Sequence, residues 1–545
     1  MSHRRRIGTA AALAATAVMV AGCTASAPTE RSTATGPQFG DTLKFGILAP
    51  PNAVDPHLAG NYSEGILAVN LADKLTYLNP ETNEVEPWLA TSWEPNADLT
   101  SYTFTLREDV TFSDGTPFDA ESVKENYDLL GLGDPELGVP ALSEIVPGYV
   151  GSEVLDEHTV RIDFDRPSAA FLRNTSHFNA GILASSTLAL TSEERGDFEN
   201  IVGTGPFTIT GHEPQGTTEL TRRDGYEWAP PSLEHDGGAY LDAVELIVIP
   251  EAQARTGALR SGEVDAILDV QPTDEAALTE EGYGISSQLI PGKTNAFNLL
   301  LDKAPTDEWE VRKAIQLGWG REALQATALS DSYTVATSII SEQVDGHVDL
   351  SEEYLKYDPE QAVELLEQAG WTEVDEDGIR VKDGERLEVD VLALNVAVTN
   401  RPAFELVQQD LREIGLELNL ALLPSAEWGP ERQNNDQDWN VIQYTQSGAD
   451  ITVLDEVFSP ARTNLSELDA DEYADLTAAL DRLNTTLDPE LRAEYAAEAQ
   501  ELVVDTYALS APIFNLAQVV AAAPTVHDIG FDALARNHFY TTWLG

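Results

Sequence analysis

Apolar positions along the 545-residue chain switch repeatedly between a two-residue and a 3.6-residue period. Tyr102, Phe104 and Leu106 alternate with Thr103, Thr105 and Arg107, which predicts a half-buried strand. The run Ser113-Asp114-Gly115-Thr116-Pro117 predicts a tight turn, because glycine admits positive φ and proline fixes the exit. Asp119 then stands as an N-cap, with Val123, Tyr127 and Leu130 on one helical face. Residues 150–165 predict a hairpin, and the apolar run at 244–249 a strand buried on both faces. Residues 258–270 give a helix stopped by Gly262 and a return strand, an alternation that implies parallel sheet.

The second half repeats the alternation, with a strand at 295–301 and a helix whose stripe is Val311, Ala314, Ile315, Gly318 and Trp319. Asp358 at N-cap and Pro359 at N1 open another helix, which Gly370 closes. Asp-Gly pairs at 377–378 and 383–384 predict hairpin turns; the acidic spacing there fails that of a calcium loop. Phe404, Val407, Leu411 and Ile414 stripe a helix ended by Gly415, with strands at 416–423 and 440–445 after it. Two amphipathic helices are expected around 471–484 and 489–504.

The N-terminus changes the picture. Arg4, Arg5 and Arg6 precede a small, Ala-rich apolar stretch, so residues 1–22 predict a signal peptide that is too short for a good membrane span. Val20-Ala21-Gly22-Cys23 places small residues before the only cysteine, the pattern of a lipobox in which the Cys23 thiol takes the lipid. Residues 23–38 are rich in Ser, Thr, Ala and Pro, a flexible tether. One cysteine excludes an intrachain disulfide and a cysteine-rich zinc site. The remaining length is ample for a core and for more than one lobe.

The net charge of −61 argues against nucleic-acid binding, which needs a basic footprint. No GxSxG, HExxH, Walker A or CxxC motif is present, no cofactor is implied, and an enzyme is not expected. Carboxylate pairs such as Asp163/Asp165 arise by chance among 93 acidic residues, so a hydrolase stays only as a remote alternative.

The string PWLATSWE at 87–94, followed by YTFTLREDVTFSDGTPFDAESV at 102–123, closely resembles the signature of the extracytoplasmic solute-binding proteins that serve peptide and nickel ABC importers (solute-binding protein family 5). The segment YDPEQAVELLEQAGW at 357–371 is a second strong match, and the Gly203-Thr204-Gly205-Pro206-Phe207 turn resembles the family's as well. Together they run patchily from about residue 42 to the end. The resemblance implies an α/β fold of two lobes, the periplasmic-binding-protein architecture with an extra subdomain. It implies a first lobe from 39–85, 206–294 and 513–545, an inserted subdomain at 86–205 and a second lobe at 295–512.

It also implies a site. Asp450 matches the aspartate with which peptide receptors hold the ligand's α-ammonium, after a strand carrying Tyr444 and Ser447; the Ile451-Thr452-Val453 that follows departs from the usual Asp-Pro. Arg401, in an Arg-Pro step before a helix, matches the carboxylate clamp of dipeptide receptors. Asn61 and Tyr62 are candidate contacts of the first cleft wall, and Phe297, Trp319 and Trp428 candidate lining aromatics, with helix start and core as the competing roles. The implied function is capture of a small solute, a peptide or peptide-like compound, by a lipid-anchored monomer that delivers it to an ABC permease. A surface sensor without transport is the alternative from another class, and a nickel-chelate receptor ranks below peptide, because His57 is the only histidine in these regions.

Overall fold

The computed structural model describes residues 36–142, 145–395, 397–434 and 439–545; the signal segment and Cys23 lie outside the described residues. Three sheets carry the fold. The first orders its strands as Gly284–Leu289, Ala517–Ala522, Ala266–Leu268, Thr42–Ile47, Ala243–Val248, Thr217–Arg222 and Phe207–His212. The two strands joined by helix Ala252–Ser261 are not neighbours: they flank Thr42–Ile47, and both run parallel to it. The run at 244–249 is not buried on both faces. Val244 and Leu246 are fully buried, whereas Glu245 and Ile247 are half-exposed, because Glu245 gives the strand one polar face.

The second sheet orders Thr334–Val335, Ser510–Asn515, Gly292–Leu299, Val441–Ser447, Glu388–Leu394 and Glu417–Leu423. Glu388–Leu394 and Glu417–Leu423 are parallel, joined by crossover helix Asn400–Glu413, which buries Phe404, Val407 and Leu411. Gly292–Leu299 is buried along all eight residues, as a central strand covered on both faces must be. The Asp-Gly turns form a small separate sheet of Glu373–Val374, Arg380–Lys382 and Glu385–Arg386.

The third sheet is antiparallel, ordered Ala90–Pro95, Ser101–Leu106, Thr159–Phe164 and Tyr149–Asp156. Tyr102, Phe104 and Leu106 turn inward on it. Helix Ala120–Leu132 covers it, capped by Asp119, whose carboxylate accepts the Ser122 N–H at 2.9 Å. Phe171 is the hub: the rings of Tyr102, Phe104, Tyr127 and Phe164 all meet it edge-on or tilted, at 4.6 to 6.0 Å between centroids. Buried residues of this sheet and of the first, Leu43, Phe45, Val244 and Leu246 among them, form one continuous apolar cluster, so the two share a core, while Ile267, Val519 and Ala521 of the first sheet pack into the cluster of the second.

The chain crosses between the first and second sheets twice, side by side. Gly284–Leu289 continues into Gly292–Leu299, and Ser510–Asn515 into Ala517–Ala522. The Ile290 N–H donates to the Leu516 carbonyl at 2.7 Å and binds the two crossings together. Gly292 has φ +124°, and a Cβ there would stand 2.1 Å from the Gln446 carbonyl oxygen, so the bend tolerates no side chain. We predict that Phe171→Ala costs about 3–5 kcal/mol, read as a lower urea midpoint at unchanged slope, since it empties the centre of an aromatic cluster.

Candidate functional site

The carboxyl end of strand Val441–Ser447 carries the chain back to the crossings, where the Gly448 N–H donates to the Pro291 carbonyl at 3.0 Å. Open α/β sheets present their binding crevices at such strand ends. A cavity of about 530 Å³ opens there. Its wall draws on Ala59 and Gly60 beside the first sheet, on Arg166, Asn174 and His177 of the third, on Ser447, Asp450 and Arg462 of the second, and on Arg536 near the C-terminus.

Asp450 stands in this wall, almost wholly buried, with its charge already matched. Arg492 donates from Nη2 to both carboxylate oxygens, at 2.7 and 2.9 Å, and the Thr452 N–H donates to Oδ1 at 3.0 Å. Arg173, next in sequence to the wall residue Asn174, brings Nε to 3.8 Å of Oδ2. Arg173 also donates Nη1 to Asn83 at 2.9 Å and Nη2 to Asp345 at 2.5 Å, and Asn83 donates to Asp345 at 2.8 Å. These contacts tie the two sides of the cavity together around one guanidinium. A second tie is the Ala169 N–H donating to the Asn484 carbonyl at 3.2 Å.

The remaining charges of the wall are largely paired. Arg462 lies 3.7 Å from Asp455 and 3.9 Å from Glu456, and Arg166 pairs with Asp165 at 2.7 Å. His177 accepts the Asn179 N–H on Nδ1 at 3.2 Å, which leaves the ring proton on Nε2. Burial, helped by the cations of Arg536 and Lys74, pushes its pKa down to about 3, so the ring is a neutral donor at pH 7.

The sequence candidates divide between wall and scaffold. Asp450 and Ser447 line the cavity. Arg401 does not: Asn400 is buried against Leu394 and Asn295, and one step along the helix turns Arg401 outward, where it is half-exposed and meets Glu405 at 3.4 Å. Phe297 packs on Phe404 in the core of the second sheet. Trp319 is fully buried under the Arg321 guanidinium, 4.2 Å from its ring. Trp428 and Tyr444 stack on each other at 6.3 Å with Arg432 over both rings, a satellite cluster outside the cavity wall. Asn61 caps helix Tyr62–Leu71 in a capping box with Glu64, beside the wall residue Gly60. Tyr62 donates its hydroxyl to the Ala535 carbonyl and carries Arg536 on its ring.

The residues missed were cations: Arg173, Arg492 and Arg536. Each sits in an ordinary helical or loop string, and only the scarcity of positive charge, 32 basic residues against 93 acidic, marks a cation flanked by apolar residues as worth a look. His57 is buried rather than at the cavity. Its Nδ1 faces Arg195 Nη2 at 3.1 Å, and Arg195 pairs with buried Asp55 at 2.8 Å. Among the described residues no group of three or more His, Cys, Asp or Glu side chains is placed to hold a metal ion. Arg492→Met is predicted to cost about 3–5 kcal/mol in urea unfolding because it strands the Asp450 carboxylate in a buried place, and adding Asp450→Asn should recover most of the loss.

A family model described as bacterial extracellular solute-binding proteins, family 5 Middle, matches residues 84–464. The chain is 28% identical over 340 residues to the nickel-binding periplasmic protein of Escherichia coli K12, a match spanning 62% of this chain and 63% of that relative. It is 24% identical over 541 residues to the dipeptide-binding protein of the same organism, spanning 91% and 94% of the two. Among solved structures, NikA from Brucella suis in complex with Fe(III)-EDTA superposes with a TM-score of 0.79 at 25% identity, covering 92% of this chain and all of the other. The oligopeptide-binding AppA of Bacillus subtilis, in complex with a nonapeptide, shares the fold at a TM-score of 0.76 and 18% identity, over 94% of this chain and all of the other. The chain belongs to the family 5 bacterial extracellular solute-binding proteins.

Proposed function

We propose that the protein captures a small solute, a peptide or peptide-like compound, in the cavity between its sheets and hands it to an ABC permease in the membrane. The observation that carries this reading is the cavity itself: about 530 Å³, walled from both sides of a two-strand crossing and bridged by Arg173. That volume falls within the range of small-molecule sites and suits a guest of a few residues. The dipeptide-binding relative, matched over 91% of this chain, supports the same size class.

In this reading the lobes, bounded near 39–85, 206–294 and 513–545 for the first and 295–512 for the second, turn about the crossings. Solute and the Arg173 contacts together favour the closed form, which the permease selects. No bond is made or broken in the solute; the protein is a binding protein and not an enzyme. It works outside the cytoplasm as a monomer, held to the membrane by lipid on Cys23 through the tether at 23–38. No helix among the described residues is long and apolar enough to cross a membrane. A chelated metal is the second reading, favoured by the Fe(III)-EDTA complex of the Brucella relative.

Native mass spectrometry of the mature protein should reveal a retained or added small molecule at one per chain. Stoichiometric capture without turnover is the expected outcome, and turnover of any bound compound would sink the receptor reading. Cys23→Ser should move the protein from the membrane to the soluble fraction; continued membrane retention would remove the lipid anchor.

A further inference from the structure

Resting on the reading of the cavity as the solute site, we infer that Arg536 is the anion anchor of that site and that its solute carries a carboxylate. Arg536 is 7% exposed yet lines the cavity. Its guanidinium lies between two rings, 4.4 Å from the centroid of Tyr62 and 4.8 Å from that of Phe178. Nη1 donates to the Leu534 carbonyl at 3.1 Å, while Nε is buried without a hydrogen-bond partner. Among the described residues no carboxylate stands within ion-pair distance of it, whereas Arg166, Arg173, Arg462 and Arg492 each have one. A buried cation is costly, and the buried Asp532 carboxylate, which it shares with Lys74, and the two aromatic faces offset only part of that cost. An anion arriving in the cavity supplies the rest.

The surroundings hold this side chain in place in advance. Asp532 accepts the N–H groups of Leu534 and Arg536 at 3.0 and 2.7 Å, so its oxygen tightens the loop while the carboxylate stays beyond ion-pair distance of the guanidinium. Tyr62 holds the same loop through the Ala535 carbonyl. Gly65 leaves room for the arm: a Cβ there would meet Arg536 Cδ and Nε at 2.6 Å. His177, a neutral donor lying on the Phe178 ring at 4.3 Å, adds a second polar contact on the same wall. Across the cavity, Asp450 is already held by Arg492, so it does not offer an unpaired carboxylate to an ammonium group. Asp455 and Glu456 of the same wall lie near Arg462, and Asp481 is an exposed carboxylate at its rim, so the acid end of a solute is assigned to Arg536 itself, where the planar fork of arginine suits a carboxylate.

The test uses the mature full-length chain and two probes, N-acetyl-dialanine (free carboxylate, blocked amine) and dialanine amide (free amine, blocked carboxylate), followed by titration calorimetry. N-acetyl-dialanine should bind more tightly than the amide. Arg536→Gln should weaken it by about 30-fold or more, the loss typical of truncating one partner of a buried charge pair. Arg536→Lys should recover part of the loss, and the exposed Arg401→Gln should match wild type; circular dichroism checks the fold of each variant. Equal or tighter binding of the amide, or unchanged binding by Arg536→Gln, overturns the anchor and leaves the receptor reading standing. Failure of both probes at millimolar concentration overturns the receptor reading for guests of this size, and the anchor with it.

Discussion

The Ile290 to Leu516 hydrogen bond holds together the only two places where the described chain passes between the first and second sheets. Each crossing has one or two residues outside regular strands, so rotation of one sheet against the other has few dihedrals through which to act. The Gly448 bond to Pro291 couples the same spot to the loop bearing Asp450. A small angular change at the crossings is thereby felt at the cavity wall. The shared core of the first and third sheets fixes Arg173 and Arg536 on one side of the cleft, and Asp345, Asp450 and Arg492 stand on the other.

Charge follows the same geometry. A chain of net charge −61 repels itself, and bringing two acidic bodies together would be unfavourable without local compensation. The cleft collects arginines where that compensation is needed, and most are matched to carboxylates within 4 Å. Ion pairs at buried positions act mainly by specifying geometry, since desolvation offsets much of their Coulomb energy. Arg173 illustrates this: its three partners, Asn83, Asp345 and Asp450, lie in three separate stretches of the chain and meet in one arrangement.

The α/β class and most elements were legible in the sequence because periodicity reports burial directly. Tyr102, Phe104 and Leu106 point inward, Asp119 and Asp358 cap helices, and Gly262 and Gly415 end them. Strand order was not legible: nothing local shows that Thr42–Ile47 inserts between Ala243–Val248 and Ala266–Leu268. The site was legible only in part. Asp450 and Ser447 reach the cavity because they follow a strand end, a position that topology dictates. Arg401 faces outward from a helix that does not reach the cavity, and Phe297 and Trp319 are core, since an aromatic's periodicity looks alike in a core and in a cleft. Arg492 and Arg536 owe their roles to neighbours far away in the chain, which a linear string does not register.

The place of Ala517–Ala522 in the first sheet bears on how the molecule is assembled. This strand lies between Gly284–Leu289 and Ala266–Leu268, bonded to both, yet it comes from the last thirty or so residues. Until it is delivered, the first sheet has an empty slot with two unsatisfied strand edges, while the residues from 292 to 515 already close a sheet of their own. One body can finish as a contiguous stretch, and the other stays open until nearly the whole polypeptide is present. Loss of a short C-terminal piece would consequently unmake the half of the molecule that begins at the other end of the chain.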